Sequence, residues 1–452
     1  MKKLLLSLLV LLLFLSPTQA SHLQGGEITW ECITSGPTQG MYIFTMKVYR
    51  DCNGVNLTTA SQTITVHNNP LVPSIQVDYV SNSDISPTCD PVNSGNLAYD
   101  CTGNIQQGSV EEYVYQSLPI NMPGLPPAAG WHFTWSSCCR NGAITNLLNP
   151  SSLGFTLRAV MYPYTPISTG VQQNVSPCFD SSPFFNEQPK TIICNGYPFS
   201  YSHNASDNEL DSLVYSWGDP IDQGYTPGAP TIIPFLAPYT VTSQIPGAPT
   251  LDPATGEISY NSATSGNFVT CIKVSSYKCG QLVAEIYREI QVILISCPPM
   301  AGAGANNKPV VNPPFSGGTS YNTTVFAGDF VTFNISGTDN DIYNTGAAQD
   351  LTLEVSGGQF ASDYTTTSLC LNPPCATFDN GAGVVPPFSA PTTVNGVFEW
   401  QTDCSHIAAN VGCNATSNLY TFLIKVFDDF CPAPAITIAT ISVEVLAAPT
   451  DQ

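Results

Sequence analysis

Two loops place carboxylates at alternate positions, and both are candidates for binding calcium. The candidate ligands are Asp207, Glu209 and Asp211 in the first loop and Asp339 and Asp341 in the second. Calcium takes roughly six to eight oxygen ligands, and alternating carboxylates on a loop can converge on one ion. The EF-hand pattern is not met, because Ser212 stands where that motif needs glycine and Gly218 where it needs glutamate. Solvated turns of an acidic protein are the alternative, and the residues leave both open.

Residues that could perform catalysis do not form a known signature. The sequence contains no Gly-x-Ser-x-Gly, no His-Glu-x-x-His, no phosphate-binding Gly-x-x-x-x-Gly-Lys and no Gly-x-Gly-x-x-Gly. We interpret each of the isolated histidines as a surface or capping residue: His22, His67, His132, His203 and His406. A pair of carboxylates for glycoside hydrolysis stays open, because 33 acidic residues always offer pairs.

One aromatic run could bind carbohydrate. Trp131, Phe133 and Trp135 alternate with polar residues, which is typical of a strand with one face in a core. The alternative is an exposed platform on which a sugar ring stacks.

Composition restricts the class of partner. The chain has 452 residues with 12 basic and 33 acidic ones, so its formal net charge is -21. Phosphate recognition needs clustered Lys and Arg, and nucleic acid is therefore excluded as a partner. The 38 prolines argue against long helices, while 43% hydrophobic residues predict real cores. A β-rich, loop-rich protein is expected.

The first twenty residues resemble an export signal. Lys2 and Lys3 precede the apolar run Leu4 to Leu15, and a helix-breaking proline and a small residue, Ala20, follow. The run is shorter than the ~20 residues that span a bilayer, so residues 1–20 are predicted to be a cleaved signal peptide. The mature chain then carries 10 basic and 33 acidic residues, a net charge of 10 − 33 = -23, and no transmembrane segment is predicted in it.

One strand-like pattern occurs three times. Aligned on Lys47, Lys273 and Lys425, each copy is rich in β-branched and aromatic residues and ends in a cysteine, at Cys52, Cys279 and Cys431. A second strand-like run follows each copy, so the sequence predicts three hairpins with the cysteines at equivalent turns. Chance similarity among strands is the alternative.

Sixteen cysteines in an exported chain predict disulfides. No Cys-x-x-Cys pair is present, which argues against structural zinc. Cys370 and Cys375 flank a short loop and are expected to pair with each other. Cys138 and Cys139 are adjacent, and because a ring between neighbours is strained, each is expected to pair elsewhere.

The middle hairpin places one further restriction on the disulfides. Cys297 would lie roughly 50 Å along a strand from Cys279, whereas bridged Cα atoms lie within about 7 Å. A bridge between these two cysteines is therefore excluded in that geometry.

These patterns predict an all-β chain of tandem β-sandwich modules with disulfides. The expected boundaries are 21–172, 173–298 and 299–448, with a small-residue linker from Cys297 to Asn307.

An ordered set of motifs resembles a known group of proteins. The motifs are Ser21-His-Leu-Gln-Gly-Gly-Glu-Ile-Thr-Trp-Glu-Cys32, Val48-Tyr-Arg-Asp-Cys52, Cys138-Cys-Arg-Asn141, Ser176-Pro-Cys-Phe-Asp-Ser-Ser-Pro183 and Ile193-Cys-Asn-Gly196. Together they resemble the N-terminal region of secreted surface proteins of Bacteroidetes, many with a gliding motility-associated C-terminal domain and PKD-like or Ig-like repeats. The motifs Asp211-Ser-Leu-Val-Tyr215 and Leu251-Asp-Pro-Ala-Thr-Gly-Glu-Ile-Ser-Tyr260 are similar to the Ig and cadherin-like modules of bacterial adhesins, which implies tandem Ig-like or cadherin-like β-sandwich modules. The motifs Trp400-Gln-Thr-Asp-Cys404-Ser-His406 and Val426-Phe-Asp-Asp-Phe-Cys431-Pro are similar to the third segment of these proteins, and this resemblance implies that Cys404 pairs with Cys431.

Two features depart from that resemblance. The acidic turn lacks a glycine and one aspartate that the similar modules carry, which weakens the calcium hypothesis. The chain also ends at Gln452 directly after a module, where similar proteins continue to a sorting domain; it is a fragment, or it is released or held by other means.

The expected function is that of a non-catalytic, extracellular or cell-surface protein, an adhesin-like or stalk segment that contacts a surface glycan or protein. The alternatives are a secreted carbohydrate-binding module or glycan-active enzyme, with Trp131 and Trp135 exposed, and a structural filament subunit with an unpaired sheet edge. No cofactor other than calcium is expected.

Overall fold

The computed structural model describes residues 23–103, 108–167, 169–172, 180–297, 306–407 and 416–449. The predicted signal peptide, 1–20, and most of the predicted linker lie outside these residues. The strands are β1 (Leu23–Cys32), β2 (Tyr42–Asp51), β3 (Gln62–His67), β4 (Ser74–Asp84), β5 (Val110–Gln116), β6 (Trp131–Cys138), β7 (Gly154–Met161), β8 (Phe184–Phe185), β9 (Ile192–Cys194), β10 (Pro198–Ser202), β11 (Ala205–Ser206), β12 (Ser212–Trp217), β13 (Thr250–Leu251), β14 (Glu257–Asn261), β15 (Gly266–Lys278), β16 (Gln281–Ile295), β17 (Val310–Val311), β18 (Asn322–Phe326), β19 (Phe330–Thr338), β20 (Asp350–Ser356), β21 (Thr377–Asp379), β22 (Phe388–Pro391), β23 (Thr393–Gln401), β24 (Ser417–Phe427) and β25 (Ile436–Leu446).

Helix is scarce among the described residues, as the proline content predicts. The α-helix α1 (Pro91–Ser94) has four residues, and the 3₁₀ turns Pro150–Ser152 and Cys404–His406 have three each. The all-β class, the sandwich architecture and the presence of disulfides are confirmed.

The N-terminal strands close into a ring. The order of hydrogen-bonded strands is β1, β2, β5, β4, β3, β6, β7 and β16, and β16 pairs again with β1. Aromatic side chains fill the interior, where Trp30, Phe44 and Phe133 pack with ring centroids 4.7–6.4 Å apart. Beyond β16 the sheet continues through β15 to β12.

Strand β16 organises this sheet. One of its edges pairs with β15 along the hairpin, and the other edge pairs in turn with β7 near Ile286, with β1 near Glu289 and with β9 near Ile293. Residues before and after the predicted boundary at 172 therefore share one hydrogen-bonded sheet. The three-module division stays a prediction, and the boundary near 172 does not separate two independent sheets.

Gly25 and Gly26 allow β1 to approach β16 and β2. A Cβ atom at Gly26 would lie 2.5 Å from the Lys47 carbonyl oxygen and 2.7 Å from a Leu157 methyl group. A Cβ at Gly25 would overlap the Glu289 carbonyl. Only glycine permits such close backbone contacts in a strand.

Two of the three predicted hairpins form. Cys279 lies in the turn between β15 and β16, and Cys431 lies between β24 and β25. The first prediction is wrong, because β2 pairs with β1 and β5, whereas β3 pairs with β4 and β6. Ring closure around β1 takes both edges of β2, which leaves none for β3.

The C-terminal region is a sandwich of two sheets. Their orders are β17-β19-β23-β21 and β18-β25-β24-β20-β22. Phe333, Phe398 and Phe422 pack between them. Both faces of β25 are buried: Ile441 and Val443 belong to the core inside the sandwich, while Ile436 and Ile438 belong to the core of the preceding region.

Disulfides join distant parts of the chain. The bonded pairs among the described residues are Cys52–Cys101, Cys89–Cys431, Cys138–Cys139, Cys194–Cys297 and Cys370–Cys375. The Cys370–Cys375 prediction is confirmed, as is the exclusion of a bond between Cys279 and Cys297, since Cys297 pairs with Cys194.

Two cysteine predictions are wrong. Cys138, the last residue of β6, bonds to the adjacent Cys139. The free cysteines, Cys271 and Cys404, belong to other elements. Cys431 pairs with Cys89 and not with Cys404, because the N-terminal region packs against the β24–β25 turn: the Asp90 N–H donates to the Asp429 carbonyl. Cys404 is free and exposed.

The close approach of β1 can be tested by Gly26→Ala. We expect a loss of about 2 kcal/mol in the free energy of unfolding, because overpacking of this kind costs about 1–3 kcal/mol. Urea denaturation measures it. Gly142→Ala is the matched control, since a Cβ there would lie 3.5 Å from its nearest neighbour, the Ser151 Cβ. Equal effects of the two substitutions would contradict the packing argument.

Candidate functional site

The first acidic loop is not a solvated turn but part of a buried charge cluster. Lys278 lies within it, with its Nζ 3.1 Å from Asp180 Oδ1 and 3.0 Å from Asp211 Oδ2. Asp207 accepts hydrogen bonds from the Glu209 and Asp211 backbone N–H groups and from the Ser276 hydroxyl. We call Asp180, Asp207, Glu209, Asp211 and Lys278 the Lys278 cluster.

Neighbouring elements fix the cluster on both sides. Lys278 ends β15, and its paired strand β12 begins directly after Asp211. Glu209 accepts from the Ser181 N–H and hydroxyl at 3.1 and 3.0 Å. The Ser181 hydroxyl also accepts from the Cys32 N–H, so the cluster is linked to β1.

Burial changes the protonation of this cluster. Desolvation, followed by repulsion from neighbouring carboxylates, raises the pKa of Asp207 well above its ordinary value. Desolvation also raises the pKa of Asp180 well above its ordinary value, although Lys278 opposes the rise. Burial lowers the pKa of Lys278, but attraction to Asp180, Asp211 and Asp207 outweighs it and raises that pKa overall. One ammonium group thus faces four acidic side chains.

The second acidic loop directly follows β19 in the C-terminal sandwich. Asp341 accepts from the Asn307 N–H and side-chain amide at 2.6 and 3.0 Å, and its own N–H donates to Asp339 Oδ1. Asp428 is buried nearby and accepts from the Asn306 side chain at 2.7 Å. Desolvation raises the pKa of Asp428, and Asp339 adds to the rise.

The calcium prediction concerns both the Lys278 cluster and the loop of Asp339 and Asp341. In the described part of the chain, the one set of three metal-type ligand atoms within 4.8 Å of one another is Cys52, Cys101 and Glu111. Two of those residues share a disulfide and cannot ligate as thiolates. In the Lys278 cluster the Lys278 ammonium lies between the carboxylates of Asp180 and Asp211, in the position that a bound calcium ion would occupy. Calcium binding by Asp207, Glu209, Asp211, Asp339 and Asp341 stays a prediction.

The aromatic run of β6 lies in the core. Trp131 and Phe133 are 2% and 0% exposed, and Trp135 is 7% exposed with its indole N–H donating to Gln62. The core-strand interpretation is confirmed. These two tryptophans therefore offer no sugar platform.

The described histidines have structural contacts. His132 bonds Tyr225 and the Ala129 carbonyl, and His67 bonds Thr134. His406 is fully buried and contacts the carbonyls of Asn372 and Pro374. His203 lies buried beside Arg288, where desolvation lowers its pKa well below the ordinary value. His406 is a capping residue, as one of the two predicted roles allows, because its Nδ1 accepts from the Asp403 N–H. His132 and His203 are buried and do not occupy the predicted surface positions, and His22 lies outside the described residues.

The motifs behind the family resemblance form buried ion pairs. Glu27 of the first motif binds Arg288 through both carboxylate oxygens, and Arg140 of the third motif binds Glu289 in the same way. Arg50 of the second motif pairs with Glu111. Sequence reasoning missed these pairs and missed Asp180 and Lys278, because their partners lie far apart in the chain.

Comparisons with known proteins give no family assignment. No protein-family model matches the chain, and no curated protein matches it. The similar solved structures include the complex of Dpr2 Ig1-Ig2 with DIP-Theta Ig1-Ig3, at 10% identity, covering 59% of this chain and all of that chain, with a TM-score of 0.19.

Two further multidomain proteins are similar at the same level. The insect immune protein hemolin is 12% identical, covers 89% of this chain and 78% of its own, and has a TM-score of 0.16. The zebrafish RET cadherin-like domains 1 to 4 are 9% identical, cover 87% and 74%, and have a TM-score of 0.14. Scores this low carry no argument about function, and the fold class rests on the strands themselves. Within the described residues, the helices are all too short or too polar to cross a membrane.

The raised pKa of Asp180 predicts a pH-dependent effect of Asp180→Asn. A carboxyl whose folded pKa exceeds its unfolded pKa loses stability as pH rises from about 4 through the folded value. Asparagine has no such loss. The free energy of unfolding of the variant minus that of the wild type should therefore increase between about pH 5.5 and about pH 8.

Urea denaturation of both proteins at each pH measures this difference, and contributions from histidines cancel in it. Asp252→Asn, at an exposed turn, is the control. The same pH response in both variants would contradict the assignment.

Removing the ammonium tests the calcium prediction at the Lys278 cluster. Lys278→Met leaves buried carboxylates without their cation, and breaking a buried pair costs about 3–5 kcal/mol. If these oxygens can ligate calcium, millimolar calcium restores part of the lost melting temperature. Lys273→Met, which removes a half-buried lysine from its pair with Glu285, is the control. A melting temperature of Lys278→Met that is unchanged by calcium would remove Asp207, Glu209 and Asp211 from the candidate ligands.

Proposed function

We propose that the chain is a non-catalytic, extracellular or cell-surface segment of an adhesin-like protein, related to the secreted surface proteins of Bacteroidetes that its motifs resemble. Its role is to hold a binding surface at a distance and to transmit force. The observation that carries this proposal is the covalent and apolar clamp between the two ends of the chain.

The clamp has three components. Cys89 and Cys431 are bonded across 342 residues of sequence. Leu423 and Phe427 of β24 belong to the same core as Phe185 and Tyr201 of the preceding region.

The third component is a buried lysine. Lys425 on β24 reaches across to Glu187 at 3.0 Å and also pairs with Glu354 at 2.6 Å. The described regions are therefore joined by a disulfide, a shared apolar core and a buried ion pair.

The residue chemistry supports a structural role. The charged residues of the resemblance motifs neutralise one another inside the protein, and Trp131 and Trp135 are buried. Disulfides of this number fit an oxidising compartment outside the cytosol. Export through residues 1–20 remains part of the proposal.

Force spectroscopy tests the mechanical part of the proposal. With the chain pulled from both ends, the bond between Cys89 and Cys431 shields the residues between them from load. Cys89→Ser with Cys431→Ser should lengthen the unfolded chain by several hundred ångströms, at about 3.5 Å per residue, and should lower the unfolding force.

Cys370→Ser with Cys375→Ser is the matched control, because that bond closes only five residues. Equal extension and force in both double variants would contradict the clamp. Release of reducing sugar ends from a polysaccharide panel by the wild-type chain would contradict the non-catalytic assignment.

A further inference from the structure

A cleft of about 740 Å³ opens between the middle region and the C-terminal sandwich. One wall comes from the segment around β11 and β12 and from the β15–β16 turn. The other wall comes from the start of β24, the end of β25 and the loop closed by Cys370 and Cys375. Ligand sites typically measure roughly 300–1,000 Å³, so the cleft is large enough for several residues of a peptide.

The walls of the cleft are acidic. Asp207 and Asp211 lie on one side and Glu444 on the other. Lys278 is 3% exposed and already pairs with Asp180 and Asp211. Lys278 neutralises Asp211, and burial raises the pKa of Asp207 well above its ordinary value, which favours its neutral form. The charge of the cleft that has no ion-pair partner among the described residues is therefore the Glu444 carboxylate, and low-dielectric walls strengthen its attraction for a cation.

A buried acceptor without a partner lines the same cleft. Gln359 is 3% exposed, and its Nε2 donates to the Asn372 and Pro374 carbonyls, while its Oε1 has no hydrogen-bond partner. A buried polar atom left unpaired costs roughly 1–3 kcal/mol. This oxygen has almost no contact with solvent, so it can accept an N–H group from a ligand once the Gln359 side chain turns toward the cleft.

The loop that holds Asn372 is rigid. The Cys370–Cys375 bond closes it, and His406 contacts its Asn372 and Pro374 carbonyls from behind. The Asn372 Nδ2 is buried without a hydrogen-bond partner and lines the cleft. The cleft wall thus holds one unpaired donor and one unpaired acceptor, the two kinds of group that match the C=O and N–H groups of a peptide backbone.

Two tyrosines complete the set of contacts. Tyr215 and Tyr277 line the wall that carries Asp207 and Asp211. Aromatic faces attract an ammonium or guanidinium group. Carboxylates, aromatic rings and paired amides together favour a basic side chain on an extended peptide.

We propose that this cleft binds a lysine or arginine side chain of an extended segment of a partner protein. The Glu444 carboxylate attracts the cation, Asp207 and Asp211 on the opposite wall offer oxygen acceptors, and the amides of Gln359 and Asn372 bind the adjacent peptide backbone. This inference rests on the proposed binding function and gives it a site and a class of ligand. Polyanionic glycans are repelled from the same walls.

Fluorescence anisotropy on the full chain with its disulfides intact tests the proposal. The probes are fluorescein-labelled octapeptides of alternating Gly and Lys, of Gly and Arg, of Gly and acetyl-lysine, and of Gly and Glu. We expect saturable binding of the first two and none of the last two, and the affinity should fall with added salt.

Variants separate the cleft from the general negative charge of the protein. Ser212→Arg places a cation at the cleft wall, and Glu444→Gln removes an acid from it. Each should weaken binding by about fivefold or more. The controls make the same charge changes elsewhere. They are Ser74→Arg at the exposed first residue of β4, and Glu399→Gln at an exposed side chain of β23. They should leave the affinity within about twofold.

Three results would overturn the proposal: no binding of the basic octapeptides, equal binding of the acetyl-lysine octapeptide, or equal weakening by the controls. Displacement of the basic peptides by a neutral oligosaccharide such as cellohexaose would also overturn it in favour of a glycan. Failure here leaves the force measurements on Cys89 and Cys431 unaffected, so the two proposals fail independently.

Discussion

The ion pair between Glu27 and Arg288 is the contact on which the remaining architecture depends. Arg288 is fully buried, and besides Glu27 it contacts the Glu187 carbonyl and lies 3.9 Å above the Phe185 ring. A buried guanidinium without a partner is far more costly than one with a bidentate carboxylate. Its pairing therefore fixes the register of β1 on β16, and a slip by one residue would place Glu27 on the wrong face.

Glu289, the next residue of β16, fixes the opposite face of the same strand. Glu289 follows Arg288 on β16 and points away from it, where it binds Arg140. Two adjacent residues of one strand thus secure two N-terminal segments, one on each side of the sheet. Because β16 also pairs with β7, β9 and β15, its position determines the closure of the ring, the start of β12 and the placement of the Lys278 cluster.

Local pattern predicted much of this fold, and distance along the chain limited the rest. The repeated runs of β-branched and aromatic residues identified the β15–β16 and β24–β25 hairpins, and the short spacing of Cys370 and Cys375 identified their bond. The partners of Glu27 and Cys89 are 261 and 342 residues away, and no local pattern encodes such pairs. Similarly, three carboxylates of the acidic cluster were visible in sequence, whereas Lys278 was hidden because it belongs to another strand.

The three repeated lysines show how a local pattern acquires different roles. Each pairs with a glutamate: Lys47 with Glu112, Lys273 with Glu285, and Lys425 with Glu354. The first two are partly exposed, and surface pairs of this kind contribute about 1 kcal/mol or less. Lys425 is buried by the preceding region and gains Glu187 as a second partner. The same residue in the same strand position therefore forms a partly exposed pair within one sheet in two cases and joins two regions in the third. The Lys425 pairs hold the C-terminal sandwich against the preceding region, and the acidic cleft between the two regions thereby keeps its shape.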